Sequence, residues 1–312
     1  MKKRKIGIVG TGNVGVAAAF ALFVGQIANR IVLVDKDHAR AEGEAMDIMH
    51  GQPLVGPTVV QAGNYEDLAD AQIVVISAGL GQRPGETRLD LLNRNAKVFR
   101  EIASELDKHA PDALLIIATN PVDVLTYVMQ ELTGRPPGQV IGTGTLLDTS
   151  RFRALLGRHY GVDPRSVHAY ILGEHGDSEV AVWSSARVGN KSIRDATVLG
   201  TAYDEAQMQE IFTRVQRAAD DIIARKGYTN WAIGAVISRL ATAIVNDQRS
   251  ILPVSVRFQG EYGIQDVCMS LPSVVGINGI EASMLPNLDD DEEHKLRASA
   301  QVLKDSLAGI EI

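Results

Sequence analysis

The chain is poor in features that mark several protein classes. It has one cysteine, Cys268, in 312 residues, so no disulfide can close within it, and a reducing, cytoplasmic setting is expected. Cys268 itself reads as a small apolar residue of a strand. Positive charge is not in excess: 31 Lys and Arg against 38 Asp and Glu leave a formal net charge of −7. That balance gives no electrostatic basis for binding nucleic acid or an anionic membrane surface. No apolar run is long enough for a membrane-spanning helix. There is no internal repeat and no linker rich in Pro, Gly or Ser. What is present, 45% hydrophobic and 22% charged residues, is enough for a large core, expected as two closely joined domains that pack directly together.

The basic start Met1-Lys2-Lys3-Arg4-Lys5 and the apolar stretch 14–24 have the outline of a secretory leader. Ile6-Gly7-Ile8-Val9, however, has the character of a strand, and Gly10, Gly12 and Gly15 come directly after it, so a strand, turn and helix are expected instead. Further strand-like apolar runs lie at 31–35, 72–77, 113–118 and 139–142. Helix-patterned stretches at 14–24, 89–109 and 122–132 separate them. Continuous apolar strands alternating with helices predict an α/β fold with a parallel sheet covered on both faces. After about residue 145 the pattern changes. A helix is predicted over 147–160, then β-like pieces, then longer helices over 208–226 and 231–246. Hairpin strands near 250–257 and 267–275 and a charged helix complete the chain. The boundary is drawn between 1–143 and 144–312, the latter a second α+β domain.

Gly10-Thr11-Gly12-Asn13-Val14-Gly15 is weak evidence on spacing alone. Its setting makes it specific: it follows a strand, opens a helix, and Asp35 ends the next strand 20 positions after Gly15. Gly10 permits a tight turn, Gly12 lets the backbone approach a pyrophosphate, and Gly15 allows close helix–strand packing. The helix N-terminus offers free N–H groups to phosphates. Asp35 can accept from a ribose diol and would repel a 2′-phosphate, so NAD is favoured over NADP. The expected fold is therefore a Rossmann-type, doubly wound parallel sheet with a second α+β substrate domain.

Gly173-Glu174-His175-Gly176-Asp177 places a histidine between small neighbours, free to face a cleft as a general acid/base. Asp148 and Arg151, three apart at the start of a helix, share a face. They can form a local ion pair, or Asp148 can hold a histidine N–H while Arg151 forks onto a carboxylate. The stretch Gly79-Leu80-Gly81-Gln82-Arg83-Pro84-Gly85-Glu86-Thr87-Arg88 follows a strand at the carboxyl edge of the sheet. Its composition suits a lid that closes over substrate.

These segments, with Thr119-Asn120-Pro121-Val122-Asp123, Leu147-Asp148-Thr149-Ser150-Arg151-Phe152-Arg153 and Lys226-Gly227-Tyr228-Thr229-Asn230-Trp231, resemble the L-lactate/malate dehydrogenase family in order and spacing over essentially the whole chain. The resemblance implies reversible, NAD-dependent hydride transfer between a small L-2-hydroxyacid and its 2-oxoacid. It implies His175 as the proton-transferring residue, oriented by Asp148. Arg88 is implied as the arginine that polarises the ketone, and Arg151 as the carboxylate anchor. Asn120 would lie between nicotinamide ribose and substrate, and Thr229 at the pocket wall. Gly10, Gly12, Val14, Gly15, Asp35, Arg40, Tyr65, Gly79, Asn120 and Thr143 would line the cofactor.

Substrate choice is expected to turn on Gln82. Malate-type members of the family place an arginine there for a second carboxylate. An uncharged Gln82 leaves that carboxylate unpaired in a closed site, which favours the methyl group of (S)-lactate and pyruvate. Arg83, under a one-residue shift, would instead give malate-type specificity. Arg153 and His168 resemble residues by which bacterial members bind fructose 1,6-bisphosphate across a subunit interface, and a homotetramer is implied. No metal, nucleic-acid or membrane partner is indicated. A metal-dependent NAD-linked glycosidase would need Cys and His ligands, and Cys268 has no metal-ligand spacing beside it. A non-catalytic NAD-binding protein would be expected to lack the histidine or the lid arginine.

Overall fold

The computed structural model, which describes residues 4–81, 85–194 and 197–311 without the side chain of Arg88, turns the apolar runs of the first half into parallel strands. In chain order these elements are β1 (Lys5–Val9), α1 (Asn13–Val24), β2 (Arg30–Val34), α2 (His38–His50), α3 (Gln52–Val55), β3 (Val59–Ala62), β4 (Ile73–Ile76), α4 (Arg88–His109), β5 (Leu114–Ile117), α5 (Val122–Thr133) and β6 (Val140–Gly142). The second half adds α6 (Leu146–Tyr160), β7 (Val167–Leu172), β8 (Val180–Val188), β9 (Lys191–Ser192), α7 (Glu205–Gln216), α8 (Ala218–Lys226), α9 (Trp231–Val245), β10 (Ser250–Gln259), β11 (Gln265–Gly276), β12 (Gly279–Ser283) and α10 (Asp290–Leu307).

Side-chain alternation explains why these short runs are strands. Ile73 and Val75 of β4 enter one apolar cluster, with Ile6, Ile8, Ile31 and Leu33 and with residues of α1, α2 and α9. Val74 and Ile76 enter the other, with Val9, Val32 and Val34 and with residues of α4, α5 and α10. Each strand is thus buried on both faces, as the period of two requires for a sheet between two helical layers.

Strand order is β12-β11-β10-β6-β5-β4-β1-β2-β3. The six strands from β6 to β3 are parallel and follow the order of a doubly wound dinucleotide-binding sheet. The antiparallel strands β10, β11 and β12 extend that sheet beyond β6 through the single registered pair Ser255–Gly142. A separate three-stranded sheet, β7-β8-β9, encloses a third apolar cluster with α6 and α7. The two halves pack directly: α9 lies against α1, where a Cβ on Gly234 would stand 2.8 Å from the Ala17 backbone.

The helix expected over 208–226 is two helices, α7 and α8, meeting at Arg217. Met208, Ile211 and Val215 anchor α7 in the core, whereas α8 buries no residue, so the apolar stripe that would hold one straight helix ends at the break. Among the described residues no helix is long and apolar enough to cross a membrane.

Candidate active site

The carboxyl ends of the parallel strands deliver Gly10, Asp35, Gly79, Asn120 and Thr143 to one edge of the sheet, following β1, β2, β4, β5 and β6 respectively. The chain order reverses on either side of β1, and ligands of open α/β sheets bind at such a switch point. The glycines there divide into two kinds. Gly10 has φ +99°, and a Cβ on it would stand 2.5 Å from Ala78 N; a Cβ on Gly15 would stand 1.9 Å from Gly10 O. Both are required by the protein's own packing. A Cβ on Gly12 would meet nothing within 4 Å. Gly12 is the N-cap of α1 and no side chain caps that helix, so its first N–H groups remain available to an anion. This bare cradle fits the pyrophosphate of a dinucleotide.

Asp35 is fixed beside it. Its Oδ2 accepts from Thr11 N at 2.6 Å and from Thr11 Oγ1 at 2.9 Å, and its Oδ1 accepts from Asp37 N at 3.0 Å. Burial pushes its pKa up, but these donors and the Arg40 cation outweigh burial and hold the carboxyl below its usual range. Arg40 is exposed on the first turn of α2, and Val14 packs partly buried on α1. Tyr65 opens a short turn beneath; burial first, then the charges of Glu105, Glu101 and Asp35, push its phenol to about 12. Thr119 closes the floor, since a Cβ on Gly79 would stand 2.4 Å from its Cγ2. Thr143 N donates to Ile117 O at 2.9 Å.

His175 lies on the loop between β7 and β8, and four elements hold that loop. Gly173 bridges to Ser270 of β11, with N–H···O distances of 3.2 and 2.8 Å. Glu174 N donates to Ser299 Oγ of α10 at 2.9 Å, and His175 N donates to Asp123 Oδ2 of α5 at 2.7 Å. The ring Nδ1 meets Asp148 Oδ2 of α6 at 2.6 Å. Gly173, at φ +86°, has Ser299 Oγ 2.8 Å from where a Cβ would be, so this close approach needs glycine. Burial alone would lower the His175 pKa. The hydrogen bond and charge of Asp148, with the charges of Asp123 and Glu179, outweigh it and raise His175 to about 9. Burial likewise pushes Asp148 up, yet His175 and Arg151 hold it below the usual carboxylate range.

Arg151 pairs locally with Asp148. The alternatives were a local ion pair or separate partners; Asp148 takes both roles, accepting Arg151 Nη1 on Oδ1 at 2.8 Å while Oδ2 holds His175. Asn120 is exposed beyond β5 and Thr229 half-buried in the turn between α8 and α9. Gln82, Arg83 and the side chain of Arg88 lie outside the described residues. The backbone of Arg88 is the first residue of α4, fixed by a capping box between Thr87 and Asp90. Among the described residues no group of three His, Cys, Asp or Glu side chains is placed to hold a metal ion.

The family model for the lactate/malate dehydrogenase NAD binding domain matches residues 4–142, and that for the lactate/malate dehydrogenase alpha/beta C-terminal domain matches residues 145–311. The chain belongs to the lactate/malate dehydrogenase family. It is 59% identical to an L-lactate dehydrogenase of Salinibacter ruber, over 100% of this chain and 99% of that one. It is 48% identical to an L-lactate dehydrogenase of Thermus aquaticus, over 98% and 99% of the two chains. The ligand-bound crystal structure of the minor L-lactate dehydrogenase of Enterococcus mundtii superposes with a TM-score of 0.97 at 40% identity, covering 100% of both chains. As a member of this family the chain takes NAD as its cofactor.

Sequence reasoning missed two carboxyls of this family site. Asp123 is 2% exposed and binds the His175 backbone; burial, opposed by Ser255 and His175, brings it to about 6. Glu179 is buried with its Oε1 unpartnered. Burial and the neighbouring Asp148 charge raise it to about 8, against the pull of His175 and Arg151. Asp123 ends the Thr119–Asp123 motif, and Glu179 stands two residues after the Gly173–Asp177 motif, but nothing local signals that either is buried.

Proposed function

We propose that the chain is an NAD-dependent L-lactate dehydrogenase, interconverting (S)-lactate and pyruvate, with His175 as the acid/base. The observation that carries this reading is the 2.6 Å His175–Asp148 pair, held in the same molecule as an uncapped glycine cradle. The full-length likeness to L-lactate dehydrogenases supports the choice of lactate over malate.

NAD supplies the hydride acceptor and donor. With Nδ1 donating to Asp148, neutral His175 keeps Nε2 free to accept the lactate hydroxyl proton. In pyruvate reduction the imidazolium returns that proton to the ketone oxygen, and Asp148 stabilises the charged ring. A His175 pKa near 9 means that reduction at neutral pH starts from the protonated form. We assign Arg88 to the ketone oxygen and Arg151, paired in this structure with Asp148, to the substrate carboxylate. Gln82 and Thr229 are assigned to recognition of the substrate methyl, and Asn120 to the nicotinamide ribose and substrate. Gly10, Gly12, Val14, Gly15, Asp35, Arg40, Tyr65, Gly79 and Thr143 line the cofactor, within a domain over 1–143 that adjoins the substrate domain over 144–312.

A homotetramer is proposed for the assembly. Phe20, Met46, Leu54 and Trp231 are large apolar side chains on the surface, Leu54 being 90% exposed. Phe20 and Trp231 line a cavity of about 240 Å³ with Arg40 and Asp47, and association would cover such a surface. Arg153 and His168 are proposed to hold fructose 1,6-bisphosphate between subunits. Arg153 stacks over Tyr170 of β7 at 4.8 Å, and His168 of the same strand pairs in register with Arg187 of β8. The single buried cysteine, Cys268, accords with a cytoplasmic enzyme.

The test is NADH oxidation by pyruvate in the wild type and in His175→Asn. A loss of at least about 10³-fold in kcat with NADH binding retained is expected. Full turnover in the variant would remove His175 from the reaction.

A further inference from the structure

The motif Thr119-Asn120-Pro121-Val122-Asp123 contributes Asn120 to the proposed nicotinamide side of the site, but that role leaves its last residue unused. Asp123 is on the first turn of α5, where the helix N-terminus favours a carboxylate. It is 2% exposed, and its Oδ2 accepts, at 2.7 Å, from the backbone N–H of His175, 52 residues along the chain. A neutral residue of the same shape could accept that bond, so a buried acid here asks for a reason beyond filling space.

The placement supplies one. Asn120 lies two residues before the start of α5, and Asp123 is on its first turn. One faces the cofactor edge of the parallel sheet, and the other grips the loop that carries the ring. Ser255, against Asp123 from β10, belongs to the single registered pair that joins β10 to β6. Asp123 therefore sits at the seam between the two halves of the sheet. We infer that Asp123 is a positioning residue: through the His175 N–H it fixes the distance between the proton-transferring ring and the nicotinamide side of the site. This rests on the proposed role of His175. The charged and titratable groups about Asp123 are His175 and Glu174 on the loop and Cys268 on β11, with Asp148, Arg151 and Glu179 around the ring itself.

A residue that only stabilised the fold would change the amount of active enzyme. A positioning residue changes the chemical step. The experiment uses Asp123→Asn, which keeps an acceptor, and Asp123→Ala, which leaves the N–H unsatisfied. Each is normalised to NADH-binding sites by fluorescence titration, beside His175→Asn. Expected for Asp123→Ala is a fall in kcat of about 10²-fold, the scale of a misplacement of about 1 Å. The Michaelis constant for pyruvate should stay within about twofold, since Arg151 is untouched. Asp123→Asn should recover about tenfold of that loss. With 4-deuterated NADH, the isotope effect on kcat should exceed the wild-type value in both variants, and the alkaline limb of the pH profile should move to lower pH. Wild-type kcat per site, with unchanged isotope effect and pH profile, overturns the inference. So does failure of both variants to bind NADH, which would make Asp123 a residue of the fold alone. If His175→Asn is inactive while the Asp123 variants are normal, this inference fails alone. If His175→Asn is active, the proposed role of His175 fails as well.

Discussion

Replacing Asp148 by asparagine removes the largest favourable influence on the His175 imidazolium while keeping the shape of a side chain that is 3% exposed. His175 stands at about 9 because Asp148, with Asp123 and Glu179, outweighs the effect of burial. With Asp148 neutral, burial carries the ring toward or below its ordinary value near 6.5. At pH 8 the protonated fraction then falls from about 0.9 to about 0.03, roughly thirtyfold. At pH 6 the loss from this source is under about twofold. A second loss does not depend on pH: the amide no longer imposes one tautomer and orientation on the ring, which costs about 10²–10⁴-fold in comparable acid/base pairs. The assay is kcat/KM for pyruvate from pH 5.5 to 9.5, followed by NADH oxidation, with NADH binding as a check on folding. The variant should show its alkaline limb about two units or more below that of the wild type. An Asp148→Asn enzyme whose limb stays near pH 9 would refute the reasoning, whatever its overall activity.

The glycines of the cradle should separate by assay. Gly12→Ala should cost no more than the roughly 1 kcal/mol of a poorer N-cap and yet weaken NADH binding about tenfold or more, because its Cβ meets no protein atom within 4 Å and would face the ligand. Gly15→Ala should cost about 2–4 kcal/mol and lower Tm by roughly 4–10 °C, since its Cβ collides with Gly10 O; equal stability of the two variants would contradict this division. Asp35→Ser should weaken NADH binding about tenfold or more and raise NADPH use, because the carboxylate that repels a 2′-phosphate is gone; unchanged NADPH kinetics would exclude Asp35 from that role. Fructose 1,6-bisphosphate should raise turnover at low pyruvate in the wild type and have no effect in a His168→Ala, Arg153→Ala double variant. Equal activation of both would place the effector elsewhere.

Legibility in the sequence followed the strength of the local signal. The strands β1, β2, β4, β5 and β6 were readable to within about a residue at each end because, after the charged first residues Lys5 and Arg30, they are runs of apolar residues that alternate between two cores. Helix α2 and strand β3 left little trace. The former buries only Ala41, Ala45 and Ile48 in an otherwise polar stretch, and the latter is four residues at the sheet edge. At the site, the fingerprint glycines, Asp35 and His175 were legible because each motif needs its residue type at a fixed offset. The His175–Asp148 pair was readable only as a pairing of motifs. The double use of Asp148 by His175 and Arg151, the Asp123 bond and the buried Glu179 depend on tertiary placement across 27 to 52 residues, which no local pattern encodes.

The most direct test of the central claim is the ratio of kcat/KM for pyruvate to that for oxaloacetate, both followed by NADH oxidation, in the wild type and in Gln82→Arg. An L-lactate dehydrogenase with an uncharged residue facing the substrate methyl should prefer pyruvate by about 10²-fold or more, the scale set by leaving a second carboxylate unpaired in a closed site. Gln82→Arg should reverse much of that preference. A wild type that prefers oxaloacetate, or a Gln82→Arg enzyme with no gain on it, would contradict the account and place the selecting cation at Arg83 or elsewhere.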